Sequence, residues 1–312
     1  MKSTFFKIVV LLFVLFFVIS GCSSQMIQPT EMPTSPPSVS EVTTDPFSST
    51  VMEMVALVNA GDFAGAAEYF SDDAMIYLVG MPPTGMEIYW GKGQFRTFLE
   101  ECCTGQNFEW EIEIKSVIDG VVFAGAKTWM DFTRELGVAP NSFHEVFVVQ
   151  DGKITLYYST MTEGTLSNFK PVLFEAIPEL AAAVQPPEET NETPANEINV
   201  TIANNTCVYD GPMSLTTGEV TVTLDIQDER FDKYALTFFT LEEGKDLIDL
   251  MASTHNPGPP SWARLISLKE FNPGESQTFK ILNIKGGLLY MVCWAKPPDL
   301  PIGNAGPFVV KE

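Results

Sequence analysis

The first half of the chain opens with helical hydrophobic patterns and continues with strand patterns. Apolar residues spaced three or four positions apart predict helices at 51–58, 62–70 and 91–102. Apolar and acidic residues then alternate across 108–115, which is the pattern of a strand with one face in water.

Three further strands follow in the same half. We place them at 121–134, 142–150 and 153–162, separated by Asp-Gly turns at 119–120 and 151–152. Helices followed by an antiparallel meander indicate an α+β domain. We assign residues 47–184 to this domain and expect a curved antiparallel sheet with N-terminal helices.

The second half, residues 198–312, has strand patterns almost throughout. Seven strands are predicted, at 198–203, 220–226, 234–241, 263–271, 277–284, 288–295 and 308–311. Seven short strands separated by regular turns favour an all-β sandwich. The Pro- and Glu-rich stretch 185–197 lies between the two halves and is interpreted as a linker.

The N-terminus carries a short apolar run. The run extends from Ile8 to Ile19. Lys2 and Lys7 precede it, and Ser-Gly-Cys at 20–22 follows it. This arrangement is typical of a secretory signal and is too short to span a membrane, so we assign residues 1–21 to a signal peptide.

The end of this run resembles the lipobox of prokaryotic lipoproteins. The resemblance implies a diacylglycerol on Cys22 and an extracytoplasmic, lipid-anchored protein at the cell membrane or outer membrane. An ordinary signal peptide with an incidental cysteine is the alternative. Residues 22–46, which contain five prolines among Ser, Thr and Glu, are then a disordered tether.

The chain is strongly acidic. Its formal charge is −22, and it becomes −24 when residues 1–21 remove Lys2 and Lys7. With no Lys- or Arg-rich stripe, the sequence argues against nucleic-acid binding. Membrane contact is therefore expected through the lipid, not through the protein surface.

Four cysteines remain beyond Cys22. Because extracytoplasmic thiols can oxidise, Cys207 and Cys293 in the second half are the disulfide candidates. The neighbours Cys102 and Cys103 rarely bridge without strain, and burial at a helix end is the simpler interpretation.

Across about 51–165, the sequence resembles the SnoaL-like branch of the nuclear transport factor 2 superfamily, which includes ketosteroid isomerase. The matching motifs are Asn-Ala-Gly-Asp at 59–62, Phe-Ser-Asp-Asp-Ala at 70–74, Gly91 with its helix, and Asp-Gly-Lys-Ile at 151–154. The resemblance implies a cone, formed by a curved sheet around helices, whose open end holds a pocket.

The residues of isomerase chemistry do not carry over. Counted from these motifs, the tyrosine position of ketosteroid isomerase falls on Met54, the base position on Leu78 and the donor position near His144. Methionine and leucine transfer no proton, so the sequence argues against that chemistry here.

The resemblance leaves a mostly apolar pocket with His144 as its polar group. A His144–Asp131 pair could take a proton from a substrate, although a histidine with local hydrogen bonds is the simpler interpretation. Core packing is likewise the simpler role for the tryptophans. The predicted pocket residues are Met54, Tyr77, Leu78, Trp90, Trp110, Trp129, Phe132 and His144.

The second half resembles the end of a cupredoxin at 287–293, the Pro-rich loop that follows, and 303–309. Blue-copper centres need two histidines and a thiolate, whereas this half contains only His255. The resemblance therefore implies a sandwich without copper. No metal or other cofactor is expected, since the two histidines of the chain lie in different halves.

These patterns favour a lipid-anchored protein whose SnoaL-like domain binds a small apolar ligand or a partner protein, beside a non-catalytic sandwich. One alternative is a SnoaL-like isomerase, cyclase or hydrolase that uses His144 with Asp131. A second alternative is a purely structural component of the cell surface. The sequence does not decide the oligomeric state.

Overall fold

The computed structural model describes residues 45–81, 85–184, 196–204, 206–255, 258–296 and 300–312. The predicted signal peptide, Cys22, nearly all of the tether and most of the linker lie outside these residues. Thr44–Glu312 form one compact unit. Among the described helices, none combines the length and the hydropathy needed to cross a membrane.

The first half contains six helices and six strands among its described residues. The helices are α1 (Pro46–Asn59), α2 (Phe63–Ala67), α3 (Gly91–Cys103), α4 (Asp131–Glu135), α5 (Glu163–Ala176) and α6 (Pro178–Val184). The strands are β1 (Phe70–Val79), β2 (Met86–Trp90), β3 (Glu109–Ile118), β4 (Val121–Trp129), β5 (Asn141–Gln150) and β6 (Lys153–Met161).

Local chemistry sets the limits of α1. The side chain of Asp45 accepts hydrogen bonds from the backbone N–H groups of Phe47 and Ser48, and Pro46 occupies the first turn, where no N–H is needed. The helix ends before Gly61, whose φ of +75° suits glycine. Its predicted apolar positions, 51, 54, 55 and 58, are all buried.

Several predicted boundaries in this half are wrong. The second helix stops at Ala67, and Phe70 instead begins β1. The strand predicted at 121–134 ends at Trp129, after which α4 begins. Strands β1 and β2 and helices α5 and α6 had no assignment from the sequence.

One curved sheet organises the first half. Its strand order is β2-β1-β6-β5-β4-β3, with β1 and β6 parallel and the other neighbours antiparallel. Side chains from α1 and α3 share a hydrophobic cluster with one face of this sheet. We refer to this face, with the helices that cover it, as the interior of the cone, and the site is built on it.

The second half contains nine strands and one α-helix among its described residues. The strands are β7 (Glu197–Ala203), β8 (Thr206–Asp210), β9 (Ser214–Thr216), β10 (Gly218–Ile226), β11 (Lys233–Leu241), β12 (Ala263–Phe271), β13 (Ser276–Ile284), β14 (Gly287–Lys296) and β15 (Leu300–Lys311). The helix is α7 (Leu247–Ala252), followed by a 3-10 turn, Ser253–His255. Strands β8 and β9 had no assignment from the sequence, and β15 begins eight residues earlier than predicted.

These strands form two sheets, with orders β13-β10-β7-β8 and β12-β11-β14-β15-β9. Apolar side chains from both sheets meet in one hydrophobic cluster. A disulfide joins Cys207 on β8 to Cys293 on β14, the pair suggested by the sequence, and so links the two sheets.

The outer, convex face of the cone sheet packs against the second half. Tyr77, Val79, Met86, Leu156 and Tyr158 belong to the same hydrophobic cluster as the two β-sheets of the second half. The hydroxyl groups of Tyr158 and Thr254 are 2.5 Å apart, which adds a polar contact. The part of the cone sheet formed by β1, β2 and β6 is therefore covered on both faces.

Candidate functional site in the cone

The alternation of side chains along β5 decides what faces the interior of the cone. Asn141, Phe143 and Glu145 line the cavity on the concave side, whereas Val146 and Val148 pack towards the second half on the outer side. His144 lies on that outer side and is exposed. Successive residues of a strand point to opposite faces, so Glu145 takes the inward place that we predicted for His144.

Glu145 is a buried carboxyl group with incomplete hydrogen bonding. Its side chain belongs to a residue that is 2% exposed. The Tyr157 hydroxyl donates to Oε1 at 2.8 Å, and the Ser159 hydroxyl donates to the same oxygen at 3.5 Å. Oε2 has no hydrogen-bond partner among the described residues. Such an atom is rare in a folded protein, where buried polar groups are nearly always paired.

Burial controls the protonation of this carboxyl. It raises the pKa of Glu145 to about 8, and the hydrogen bonds from Tyr157 and Ser159, together with the nearby Trp110 indole, offset only part of that rise. The Trp110 indole lies near enough to affect the pKa, yet its N–H falls short of hydrogen-bond geometry and stays unpartnered. Glu145 is therefore mostly neutral at pH 7 and carries a proton that it can donate.

A cavity of about 270 Å³ opens beside Glu145. This is nearly twice the roughly 150 Å³ that accommodates benzene in an engineered protein cavity. Its lining is almost entirely apolar and aromatic. The lining residues are Leu78, Val79, Met81, Phe95, Phe98, Leu99, Cys102, Cys103, Phe108, Trp110, Thr128, Met130, Phe132, Thr133, Asn141, Phe143, Glu145, Tyr157, Ser159, Met161 and Phe169.

Stacked rings hold Tyr157 in place behind the carboxyl. The rings of Phe147 and Tyr157 are nearly parallel with centroids 4.7 Å apart, and the Trp110 ring lies 5.9 Å from Tyr157. Burial and the nearby Glu145 carboxyl raise the pKa of Tyr157 well above its ordinary value, so its hydroxyl keeps its proton and remains a donor. The polar end of the cavity is thus rigidly built.

Two free cysteines also line the cavity, at the end of α3. Cys103 is buried and Cys102 is partly exposed. A hydrogen bond with Cys102, together with burial, raises the pKa of the Cys103 thiol, so it stays protonated.

Helix α5 contributes to one side of the cavity and is tied to the second half. Phe169 lines the cavity, and Leu166 and Leu173 share an apolar cluster with Ile248 of α7. On the same helix, the Lys170 ammonium lies 2.6 Å from the carboxylate of Asp249. The second half therefore helps to hold a wall of the cavity.

The structure divides the eight predicted pocket residues. Leu78, Trp110 and Phe132 line the cavity. The other five do not line it. Met54 is buried in the cone core, and Tyr77 and His144 lie on the outer face of the sheet. The Trp90 ring packs against the Arg230 guanidinium, 4.6 Å from the ring centroid, and Trp129 is likewise absent from the cavity lining.

The structure does not bring His144 and Asp131 together. His144 pairs in register with Gly125, six residues before Asp131 on the chain. The Asp131 carboxylate accepts a hydrogen bond from Asn107 at 2.8 Å and lies 3.4 Å from Arg134. The predicted proton-transfer pair is therefore wrong.

Sequence reasoning missed Glu145, Tyr157 and Ser159. Glu145 shares its strand face with Phe143 and Phe147, so the signal was an acidic residue between two aromatic ones at a spacing of two. Within the described chain, no group of three or more His, Cys, Asp or Glu side chains is arranged to hold a metal ion.

Comparisons with known proteins agree with the architecture of the first half. Residues 51–157 match the family model of the SnoaL-like domain. A comparison with curated proteins gives no match. Residues 51–157 therefore carry a SnoaL-like domain.

The solved structures that are similar to part of this chain are distant in sequence. A nuclear transport factor 2-like protein of unknown function from Cytophaga hutchinsonii is 11% identical, with 41% of this chain and 99% of that chain covered and a TM-score of 0.31. An LEH-like epoxide hydrolase from M. tuberculosis is 16% identical, with 43% and 96% covered and a TM-score of 0.31. A protein from Sphaerobacter thermophilus is 20% identical, with 36% and 94% covered and a TM-score of 0.30. The chemistry of the cavity has to be argued from its own residues.

Proposed function

We propose that the SnoaL-like domain binds a small, mostly apolar molecule in the cavity and that Glu145 is its polar contact. The observation that carries this proposal is the unpartnered Oε2 atom of Glu145, buried beside about 270 Å³ of space. Binding pockets commonly combine an apolar wall with a few placed polar groups.

The energetics of burial support the same function. A buried polar atom without a partner costs about 1–3 kcal/mol, and a ligand that hydrogen-bonds to it removes that cost. Asn141 Oδ1 and Trp110 Nε1 also line the cavity without partners, so the polar end offers an acceptor and a donor besides the carboxyl. A ligand with an oxygen or nitrogen at one end fits this arrangement.

Calorimetric titration of the purified chain with 2-phenylethanol tests binding. We expect saturable binding of one molecule per chain, and we expect Leu99→Trp to abolish it, because Leu99 lines the cavity. Leu268→Trp is the matched control, since it places the same ring on the exposed side of β12. Unchanged binding in Leu99→Trp, or no binding in the unaltered chain, would contradict the proposal.

A second candidate function is proton-transfer catalysis, and the protonation of Glu145 favours it. A carboxyl with a pKa of about 8 suits a general acid at neutral pH, because it holds a proton that it can still release. An isomerase, cyclase or hydrolase would then use Glu145 and not His144. Glu145→Gln separates the two functions, because its amide cannot release a proton and should stop turnover, whereas it can still hydrogen-bond to 2-phenylethanol.

We propose that Cys22 anchors this domain outside the cytoplasmic membrane through a lipid. The lipobox-like segment before Cys22 supports the anchor, and the Pro-rich residues 22–46 supply a spacer. Metabolic labelling with palmitate should mark the unaltered chain and not Cys22→Ser, which should also leave the membrane fraction. Labelling of the variant would contradict the anchor.

For the second half, we propose a cupredoxin-like sandwich that binds no copper. The apolar cluster shared by its two sheets supports a sandwich, and the presence of a single histidine in residues 198–312 argues against a blue-copper centre. Its role would be to cover the outer face of the cone sheet and to hold α5. Copper titration followed by absorbance near 600 nm should detect no thiolate–copper band.

A further inference from the structure

Three carboxyl groups are buried among the described residues, and only one of them has no cation beside it. Asp228 binds the Arg230 guanidinium, with oxygen–nitrogen distances of 2.7 and 3.0 Å. Asp249 lies 2.6 Å from the Lys170 ammonium. A buried carboxylate is stable only when a positive charge and hydrogen bonds surround it. Glu145 instead contacts hydroxyl groups.

The walls of the cavity supply no cation to Glu145. Of the described residues that line it, none is Lys, Arg or His. Aromatic rings supply much of the wall instead, and an ammonium is attracted to the face of such a ring within about 6 Å. The rings are Phe95, Phe98, Phe108, Trp110, Phe132, Phe143, Tyr157 and Phe169.

The net charge of the whole chain favours a positively charged ligand. With 40 acidic and 18 basic residues, the protein attracts cations and repels anions over its surface. An anionic ligand would also face the Glu145 carboxyl inside a cavity without a basic residue. The ligand is therefore neutral or cationic. Only a cationic ligand gives Glu145 the neighbouring positive charge that Asp228 and Asp249 each have.

We propose that the ligand of the cavity is a small hydrophobic amine. Its ammonium group donates a hydrogen bond to Oε2 of Glu145, and its apolar body lies among the aromatic rings. This inference rests on the proposed binding function and adds the class of the ligand.

Binding of an ammonium changes the protonation of Glu145. The empty site holds a carboxylic acid, and the filled site holds a carboxylate beside the ammonium, so one proton leaves for solvent. With a pKa of about 8, the free carboxyl is about nine-tenths protonated at pH 7, and about 0.9 proton is released per amine bound. The other titratable groups facing the cavity are Tyr157, Cys102 and Cys103; the raised pKa values of Tyr157 and Cys103 keep both protonated.

A pair of nearly isosteric probes tests this class of ligand. The purified chain is titrated at pH 7 with 2-phenylethylamine and with 2-phenylethanol, each in phosphate and in Tris. The heats in buffers of different ionisation enthalpy report the protons exchanged. We expect the amine to bind at least tenfold more tightly, with release of close to one proton, and the alcohol to bind without proton release.

The Glu145→Gln variant supplies the matched control. It should lose the preference for the amine and the proton release, so that the two probes bind with similar affinities. Equal binding of the two probes to the unaltered chain, or amine binding without proton release, overturns the amine and leaves the binding function standing. Binding of neither probe overturns both proposals. If the variant fails to fold, the comparison of the two probes in the unaltered chain still tests the proposed class of ligand.

Discussion

The interior of the cone and the interior between the two sheets of the second half are filled differently. Between the sheets, side chains such as Leu224, Phe238 and Phe308 are fully buried, and the buried Asp228 is paired with an arginine. In the cone, about 270 Å³ stays open and the buried Glu145 keeps an unpartnered oxygen. The second interior is built for stability, whereas the first gives up packing and hydrogen bonds where a ligand can restore them.

The largest expected effect concerns the disulfide in the second half. Replacing both Cys207 and Cys293 with alanine opens a link between residues 86 positions apart. For a loop of this length we expect a loss of about 2–5 kcal/mol in the free energy of unfolding. Denaturant titration measures the loss. Binding of 2-phenylethanol under native conditions should persist, and its disappearance would show that the two interiors are not separable.

Removing the cation from a buried carboxyl gives the next largest effect. Arg230→Met removes the cation beside the buried Asp228. This should cost about 2–4 kcal/mol, at the lower end for a buried pair because the Arg230 side chain is itself partly exposed. Glu145→Gln is the matched change in the cone. It should be neutral or stabilising at pH 7, since the amide avoids the cost of protonating the Glu145 carboxyl on folding. Equal costs would contradict the contrast between the two carboxyl groups.

Enlarging one side chain in each interior tests the packing directly. Leu224→Phe adds volume where no space is described and should destabilise the chain by about 1–3 kcal/mol. Leu78→Phe adds the same volume beside the cavity and should be neutral or stabilise by up to about 1 kcal/mol. Thermal unfolding of both variants gives the comparison. A destabilised Leu78→Phe would mean that the cavity does not accept a larger group.

The sequence predicted those elements whose two faces differ. Strand β3 alternates between buried or partly buried and exposed residues, and its assignment was correct within a few positions. Strand β1 is buried on both faces from Ile76 to Val79, because the cone interior covers one face and the second half covers the other. Such a strand shows no alternation, and none was assigned there.

The same cover on both faces explains the error at His144. Apolar residues occupy both sides of β5, with Phe147 and Val149 facing the cone and Val146 and Val148 facing the second half. The pattern therefore does not say which side is inward. Only the packing of the second half on the outer face decides it, and that contact joins segments far apart in the chain. Because this face of β5 is inward, Glu145 and not His144 supplies the polar group of the site.

The effect most specific to the cone is the pH dependence that Glu145 gives to stability. The folded chain holds a proton on this group up to a pKa of about 8, whereas the unfolded chain releases it near the ordinary value of 4.5. The folded state thus binds more protons between these values, and the free energy of unfolding falls as the pH rises through this window. The slope is at most about 1.4 kcal/mol per pH unit.

Denaturant titrations from pH 5 to pH 9 should show this fall in the unaltered chain and a flatter profile in Glu145→Gln. Because Asp228→Asn leaves Glu145 in place, it should keep the slope while lowering stability. If the free energy of unfolding varied with pH in the same way in the unaltered chain and in Glu145→Gln, the pKa of Glu145 would not be raised in the folded state. The two buried carboxyl groups would then not differ in the way that we infer.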